Sequence, residues 1–376
     1  MDKKLKSPLT YQRLIGQHIK ILQNLQYQSG LFAASDKQVG TGYDRSWLRD
    51  NFYECLAFQV LEDWDSVERT YDALLQIFLK HEWKIDYAIA HKPKAKHEYI
   101  HARFNPETFE EFWEEWGNKQ NDSIGAILFN IGKLEHHHKR TILQTPDHVR
   151  IVNKLVEYLD TIQYWHDVDH GIWEFDEEVH ASSIGACLAG LKEVKKLPQI
   201  TVPGYLIENG EIALNDLLPR ESQSHFVDLA LLSLIYPYNI VNTQQRNQIL
   251  ENVEYHLLKE KGVIRYKNDW YYNKNPDGFS EEAEWSFGLS WLAIIYTHLG
   301  NKDKAEFYID KMIKTATPKG IPELWYSHTN KPNENNPLGW AESLFVVALH
   351  DMNEKFLKYK YNYLPKTEDS QEPNQN

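Results

Sequence analysis

Two kinds of helical segment alternate along this chain, and that alternation restricts the fold more than any single motif does. Six segments are apolar around much of their circumference: "NFYECLAFQVL", "SIGAILFNIG", "SSIGACLAGLKEV", "HFVDLALLSLI", "SFGLSWLAIIYTHL" and "ESLFVVALHDM", beginning near Asn51, Ser123, Ser182, His225, Ser286 and Glu342. A helix without a polar face must be covered on most sides. Others, such as "YQRLIGQHIKILQNLQ", "VRIVNKLVEYLDTIQYW", "NQILENVEYHLLKE" and "KAEFYIDKMIKTA", repeat apolar residues at three- and four-residue steps and carry one apolar stripe each. Six covered helices alternating with six half-covered ones meet the requirement of an (α/α)6 toroid, an inner ring inside an outer ring. The starts recur roughly 40–75 residues apart, like a degenerate repeat. The expected fold class is therefore all-α. Segments with strand alternation are few, and "GVIRYKNDWYYN" is expected to form a short ribbon. No interior linker divides the chain, so one domain is expected over 1–363, followed by a disordered polar tail over 364–376.

The chain has 376 residues and a net charge of −13. That charge argues against a nucleic-acid backbone or an anionic membrane as partner. It suits a neutral substrate handled by carboxylates. The first residues, "MDKKLKSPLTYQRLIGQHIKILQNLQ", contain no continuous apolar run of the signal-peptide kind, and no segment approaches the roughly 20 apolar residues of a membrane span. The two cysteines, Cys55 and Cys187, each fall inside an apolar helical pattern and are expected as buried, reduced thiols. A cytoplasmic location is the expectation.

Aromatic residues make up 13% of the chain, with 12 Trp and 22 Tyr, and their placement is not random. Dense polar-aromatic segments precede most of the apolar helices: "YDRSWLRD", "FWEEWGNKQND", "GIWEFDEEVH", "FSEEAEW" and "GIPELWYSHTNKPNENNPLGW". If the inner helices run parallel, these segments meet at one mouth. Stacking rings beside planar hydrogen-bonding groups make a sugar site, because a pyranose offers apolar faces and a rim of hydroxyls. A single such cluster also reads as a helix cap with a packing Trp. Five of them before buried helices point to a shared pocket.

In these five segments the chain resembles glycoside hydrolase family 15, the glucoamylases and their relatives, and in particular the glucoamylase-like portion of phosphorylase kinase regulatory subunits. The matching motifs are Trp47-Leu48-Arg49-Asp50; "WGNKQND", Trp116 to Asp122; Trp173-Glu174 followed by Ser182-Ser183; Arg265-Tyr266 followed by "EEAEWSFGLSW"; and "GIPELWYS" with Glu323, followed by "LGWAESLFVVAL". They cover about positions 40 to 350 in the family's order. The resemblance implies a six-hairpin glycosidase that releases glucose from the non-reducing end of an α-glucan or small α-glucoside. Glu174 would be the general acid and Glu323 the general base. It implies substrate contacts from Trp47, Arg49, Asp50, Trp116, Gln120, Asp122, Trp173, Arg265, Glu282 and Trp340. Arg49 and Asp50 are expected as a sugar clamp, with Trp116 and Trp340 as pocket walls. Gln120 and Asp122 are open to a second reading, as caps of the "SIGAIL" helix. The regulatory subunits imply an alternative, a glucan-binding protein without turnover. One departure from the glucoamylases is Phe175, which stands where fungal members carry a second acid.

Glycoside hydrolysis by inversion needs two carboxyl groups, one to protonate the leaving oxygen and one to activate water on the opposite face. Trp173 and Phe175 flank Glu174 with apolar rings, which would favour its protonated form. Glu323 follows Gly-Ile-Pro, a stiff turn suited to holding a carboxylate toward water. No cofactor or metal is expected. The run His136 to His138 reads as a solvated helix end, the acidic runs lack EF-hand spacing, and no phosphate loop, CxxC pair or GxSxG elbow occurs.

Overall fold

A computed structural model describes residues 8–357 except 115, 275–277 and 279. The expected polar tail, 364–376, lies outside the described residues. Among the described residues twelve α-helices carry the fold: α1 (Pro8–Leu25), α2 (Leu48–Val60), α3 (Trp64–Lys80), α4 (Glu82–His91), α5 (Asn121–His136), α6 (Pro146–Ile162), α7 (Ala181–Val194), α8 (Gly204–Leu217), α9 (Thr243–His256), α10 (Phe287–His298), α11 (Lys302–Thr315) and α12 (Gly339–Met352). Around the centre α2 packs on α5, α5 on α7, α7 on the 3-10 helix Leu229–Leu234, that helix on α10, α10 on α12, and α12 again on α2. The inner ring is closed, as the alternation of apolar and amphipathic segments requires. In α12 every residue from Gly339 to Leu349 is buried, whereas α6 buries only its Ile151–Val152–Leu155–Val156–Leu159 stripe and its neighbours.

One inner element differs from the expectation. "HFVDLALLSLI" forms a six-residue 3-10 helix rather than an α-helix. Pro237 ends it, since proline offers no N–H and cannot continue a helix. At its start the Asp228 carboxylate accepts from the Ala230 N–H at 2.7 Å. "GVIRYKNDWYYN" likewise forms no continuous ribbon. Val263 bridges Trp285 and Tyr266 bridges Asp228, each as a single pair. The named strands are two-residue pairs: β1 (Ser46–Trp47) with β2 (Arg103–Phe104), and β3 (Glu284–Trp285) with β4 (Leu324–Trp325), both antiparallel.

The α5–α7 contact is the tightest in the ring because glycines remove the side chains between the backbones. A Cβ on Gly125 would lie 2.3 Å from the Cys187 nitrogen, and one on Gly190 2.5 Å from the Gly125 oxygen. Cys55 and Cys187 are free and buried, as expected. No helix among the described residues is long and apolar enough to cross a membrane.

Side-chain caps are found on four outer helices, though not on α4 or α8. The outer helices α3, α6, α9 and α11 are capped by Asp63, Thr145, Asn242 and Asn301, whose side chains accept first-turn N–H groups. The N-cap residues of α2, α5, α7, α10 and α12 make no such bond. Distant carboxylates serve two of them: Asp169 accepts from Asn121 N–H at 2.8 Å, and Glu221 from Ser182 N–H at 3.1 Å. The segments before the inner helices are thereby free to face a common opening instead of closing their own helices.

Candidate active site

These segments line one cavity of about 750 Å³. Trp47, Arg49 and Asp50 reach it from the start of α2, Trp116 and Gly117 from before α5, and His170 to Asp176 from before α7. Trp285 and Phe287 enter at α10, and Glu323, Leu338 and Trp340 at α12. Of "WKIDYAIAHKPKAKHEY", only Lys96 touches the cavity, so that segment does not plug it.

Glu174 sits in a tight turn with φ +66°, a left-handed conformation uncommon for a residue with a side chain. Three contacts hold it there. A Cβ on Gly117 would meet the Glu174 carbonyl oxygen at 2.5 Å, so the Trp-Gly motif before α5 is what admits this turn. The Arg49 guanidinium donates to Glu174 Oε1 at 2.9 Å. The preceding Trp173 donates its indole N–H to Asp228 at 2.7 Å. The Glu174 side chain is 17% exposed, open only to the cavity side. Burial pushes its pKa up to about 7, Arg49 pulls it down, and the charge of Asp50 adds to the rise.

Glu323 has a different environment. It is 2% exposed and immediately precedes β4. Its carboxylate accepts three hydrogen bonds, from the Tyr43 hydroxyl at 2.9 Å, Asn335 Nδ2 at 2.8 Å and Asn333 Nδ2 at 2.5 Å. Its backbone is tied by Glu323 N–H to Asn335 O and by Ser286 N–H to Glu323 O. Burial raises its pKa, and the three donors oppose that by stabilising the anion.

The closed end of the cavity holds Arg49, Asp50, Trp47 and Trp340, all buried. Asp50 makes no hydrogen bond to another side chain among the described residues, so its oxygens remain available to a ligand. Burial and the neighbouring Glu323 charge raise its pKa, against the pull of Arg49, to about 6. Arg49 is more committed than a sugar clamp requires. Besides Glu174, it donates to Gln120 at 2.9 Å and to Asp122 at 3.2 Å. Gln120 and Asp122 stand behind Arg49 and outside the cavity lining. They orient the arginine, and neither is the side-chain cap of α5. Trp340 is stacked between Tyr53 and Phe287, at 4.3 and 4.7 Å between ring centres. Trp173 lies nearly parallel to it at 6.4 Å. Trp47 and Trp116 meet edge to face at 5.3 Å on the opposite wall.

Arg265 lines the cavity but spends two donors on Asp269, at 2.7 Å each. Trp173, Phe175, Tyr266, Tyr271 and Trp285 surround its guanidinium within 5.6 Å. Glu282 is not in the lining. Its carboxylate accepts from the Asn268 N–H at 2.9 Å and anchors the loop that follows Arg265. Several partners of the site carry no sequence signal. Tyr43, Asn333 and Asn335 are neutral residues in the quoted segments, and Asp228 and Asp269 are two acids among 54. Only their convergence in space distinguishes them.

Comparison with known proteins agrees with this geometry. The sequence model of "Glycosyl hydrolases family 15" matches residues 9–201. The liver isoform of the phosphorylase b kinase regulatory subunit alpha from Mus musculus is 25% identical over an alignment 414 positions long, gaps included, that covers 90% of this chain and 32% of that subunit. The chain thus spans about a third or less of the length of the curated relatives it matches. Among solved structures, a wild-type glycosidase superposes with a TM-score of 0.78 at 17% identity, covering 94% of this chain and 99% of its own. The glucoamylase of Saccharomycopsis fibuligera superposes with a TM-score of 0.64 at 14% identity, covering 92% and 95%. The architecture is the six-hairpin toroid of the glucoamylases, and with half of the chain matched by the family model, the protein belongs to glycosyl hydrolase family 15.

Proposed function

We propose that this protein is an inverting, exo-acting hydrolase of α-glucosides or α-glucans that releases glucose from non-reducing ends. The observation that carries this reading is a pair of carboxyl groups from different hairpins in one cavity, one beside a cationic donor and one among three neutral donors. Glu174, raised to about 7, keeps a proton to deliver to the glycosidic oxygen. Glu323, facing three donors, is set up as an anion that takes a proton from water. Water attacks C1 from the face opposite the leaving group as the C1–O bond breaks, and β-glucose forms from an α-glucoside. Inversion by this route needs the carboxyl groups roughly 6.5–9.5 Å apart. Asp50 at the closed end would accept hydroxyl protons of the terminal sugar, which makes the action exo. No cofactor takes part. The two free buried thiols fit a cytoplasmic enzyme.

The second reading is a glucan-binding protein without turnover, favoured by the likeness to subunits named as regulatory. Glucose release from maltose, isomaltose, trehalose and starch decides between the two readings. The hydrolase should release glucose from at least one of them. Glu174→Gln and Glu323→Gln should each lower kcat by about 10²–10⁴-fold. Sugar binding without release from any substrate would establish the second reading. Release indifferent to both substitutions would overturn the residue roles.

A further inference from the structure

The cavity has two unlike ends. At the closed end Glu323 is 2%, Arg49 3% and Asp50 7% exposed, while Trp270 at the mouth is 64% exposed and still lines the cavity. An exo enzyme takes the terminal sugar into the closed end, so the leaving group must lie toward the mouth, beside Glu174. The residue after Glu174 is Phe175, whose ring meets Trp270 edge to face at 4.9 Å. Beside the Phe175 ring, Arg265 is neutralised by its paired bonds to Asp269 and does not present a free charge to a ligand.

The exposed tryptophan is held in place by its loop. Asp269 also accepts from Tyr271 N–H at 3.0 Å, Glu282 holds Asn268, and Tyr272 donates to Glu334 at 2.7 Å. The Trp270 ring packs edge to face on Phe175 and leaves most of its surface open beside the cavity. It is preorganised to stack on something that enters.

We propose that Phe175 and Trp270 form a leaving-group wall that selects α-glucosides whose leaving group is a flat ring with an apolar face, a second pyranose or an aromatic aglycone. This rests on the hydrolase reading above. Productive leaving groups gain by stacking on the wall, whereas an atom or a methyl group gains nothing there.

The test compares kcat/KM on maltose, p-nitrophenyl α-glucoside, methyl α-glucoside and α-glucosyl fluoride. Trp270→Ala, which removes an exposed ring and leaves the core intact, and Phe175→Ala should each lower kcat/KM on the two ring-bearing substrates by about ten-fold. On the fluoride and the methyl glucoside the loss should be below about three-fold, since neither presents a ring. Trp270→Phe should recover most of the loss. A larger effect on maltose assigns the wall to a sugar, and a larger effect on the nitrophenyl glucoside to an aromatic aglycone. Equal losses on all four substrates, or no loss on any, would overturn the proposal. If the wild type cleaves none of the four, the hydrolase reading falls, and calorimetry then decides the wall separately. Maltose should bind tighter than glucose, and Trp270→Ala should remove that difference. Equal binding of the two sugars by the wild type would overturn the wall as well.

Discussion

In the proposed hydrolase Glu174 and Glu323 take opposite tasks, although the pKa of each is raised. Burial and the charge of Asp50 outweigh the pull of Arg49 on Glu174, so it stays protonated up to about 7. Glu323 has three neutral donors, one of which, the Tyr43 hydroxyl, also lies 3.3 Å from the Tyr271 hydroxyl, and these donors favour its anion. A bell-shaped kcat/KM profile follows. Activity should fall as pH rises through about 7, where Glu174 loses its proton, and fall at acid pH, where Glu323 gains one. Tyr43→Phe removes one donor from the Glu323 anion. Its pKa should rise further, because a hydrogen bond to the charged form is lost, moving the acidic limb up while the alkaline limb stays near 7. A Tyr43→Phe profile with an unmoved acidic limb would show that the hydroxyl does not stabilise the base. The two glutamates were legible in sequence because each is bound to a short motif, Trp-Glu and Gly-Ile-Pro-Glu. Tyr43, Asn333 and Asn335 were not, because neutral residues without characteristic spacing reveal their role only when folding brings them to Glu323.

At the scale of elements, four outer helices carry side-chain N-caps while the five inner α-helices do not. The segments before those inner helices line the cavity instead. The apolar character of five inner helices was legible, since burial on all sides leaves a continuous pattern. The fourth was misjudged because composition does not separate an α-helix from a six-residue 3-10 turn, and Pro237 decided it. The small-residue pattern of "SIGAILFNIG" and "SSIGACLAG" signalled more than burial: it sets the backbone contact of α5 with α7. Gly125→Ala should force the two helices apart, costing about 1–3 kcal/mol, and lower Tm by about 5 °C. Gly16→Ala in α1, whose added Cβ would meet nothing within 4 Å, should not lower Tm, because alanine favours the helix. Calorimetric melting of both variants checks this, and an unchanged Tm for Gly125→Ala would contradict the close-packing account.

At the scale of the whole molecule, the toroid brings together side chains far apart in sequence. Arg49 from α2, Glu174 from before α7 and Glu323 from before α12 lie in one cavity because the inner ring closes α12 back onto α2. The overall fold was legible from the order of helix types, and the mouth from the order of aromatic segments. The commitment of Arg49 to Glu174, Gln120 and Asp122 was not, since its motif alone suggests a sugar clamp. The central proposal is that two carboxyl groups from different hairpins of one cavity act on one bond with inversion. Proton NMR of the first glucose formed from α-glucosyl fluoride tests it most directly. The account predicts the β anomer at early times, mutarotating later. The α anomer appearing first, or no glucose at all, would contradict it.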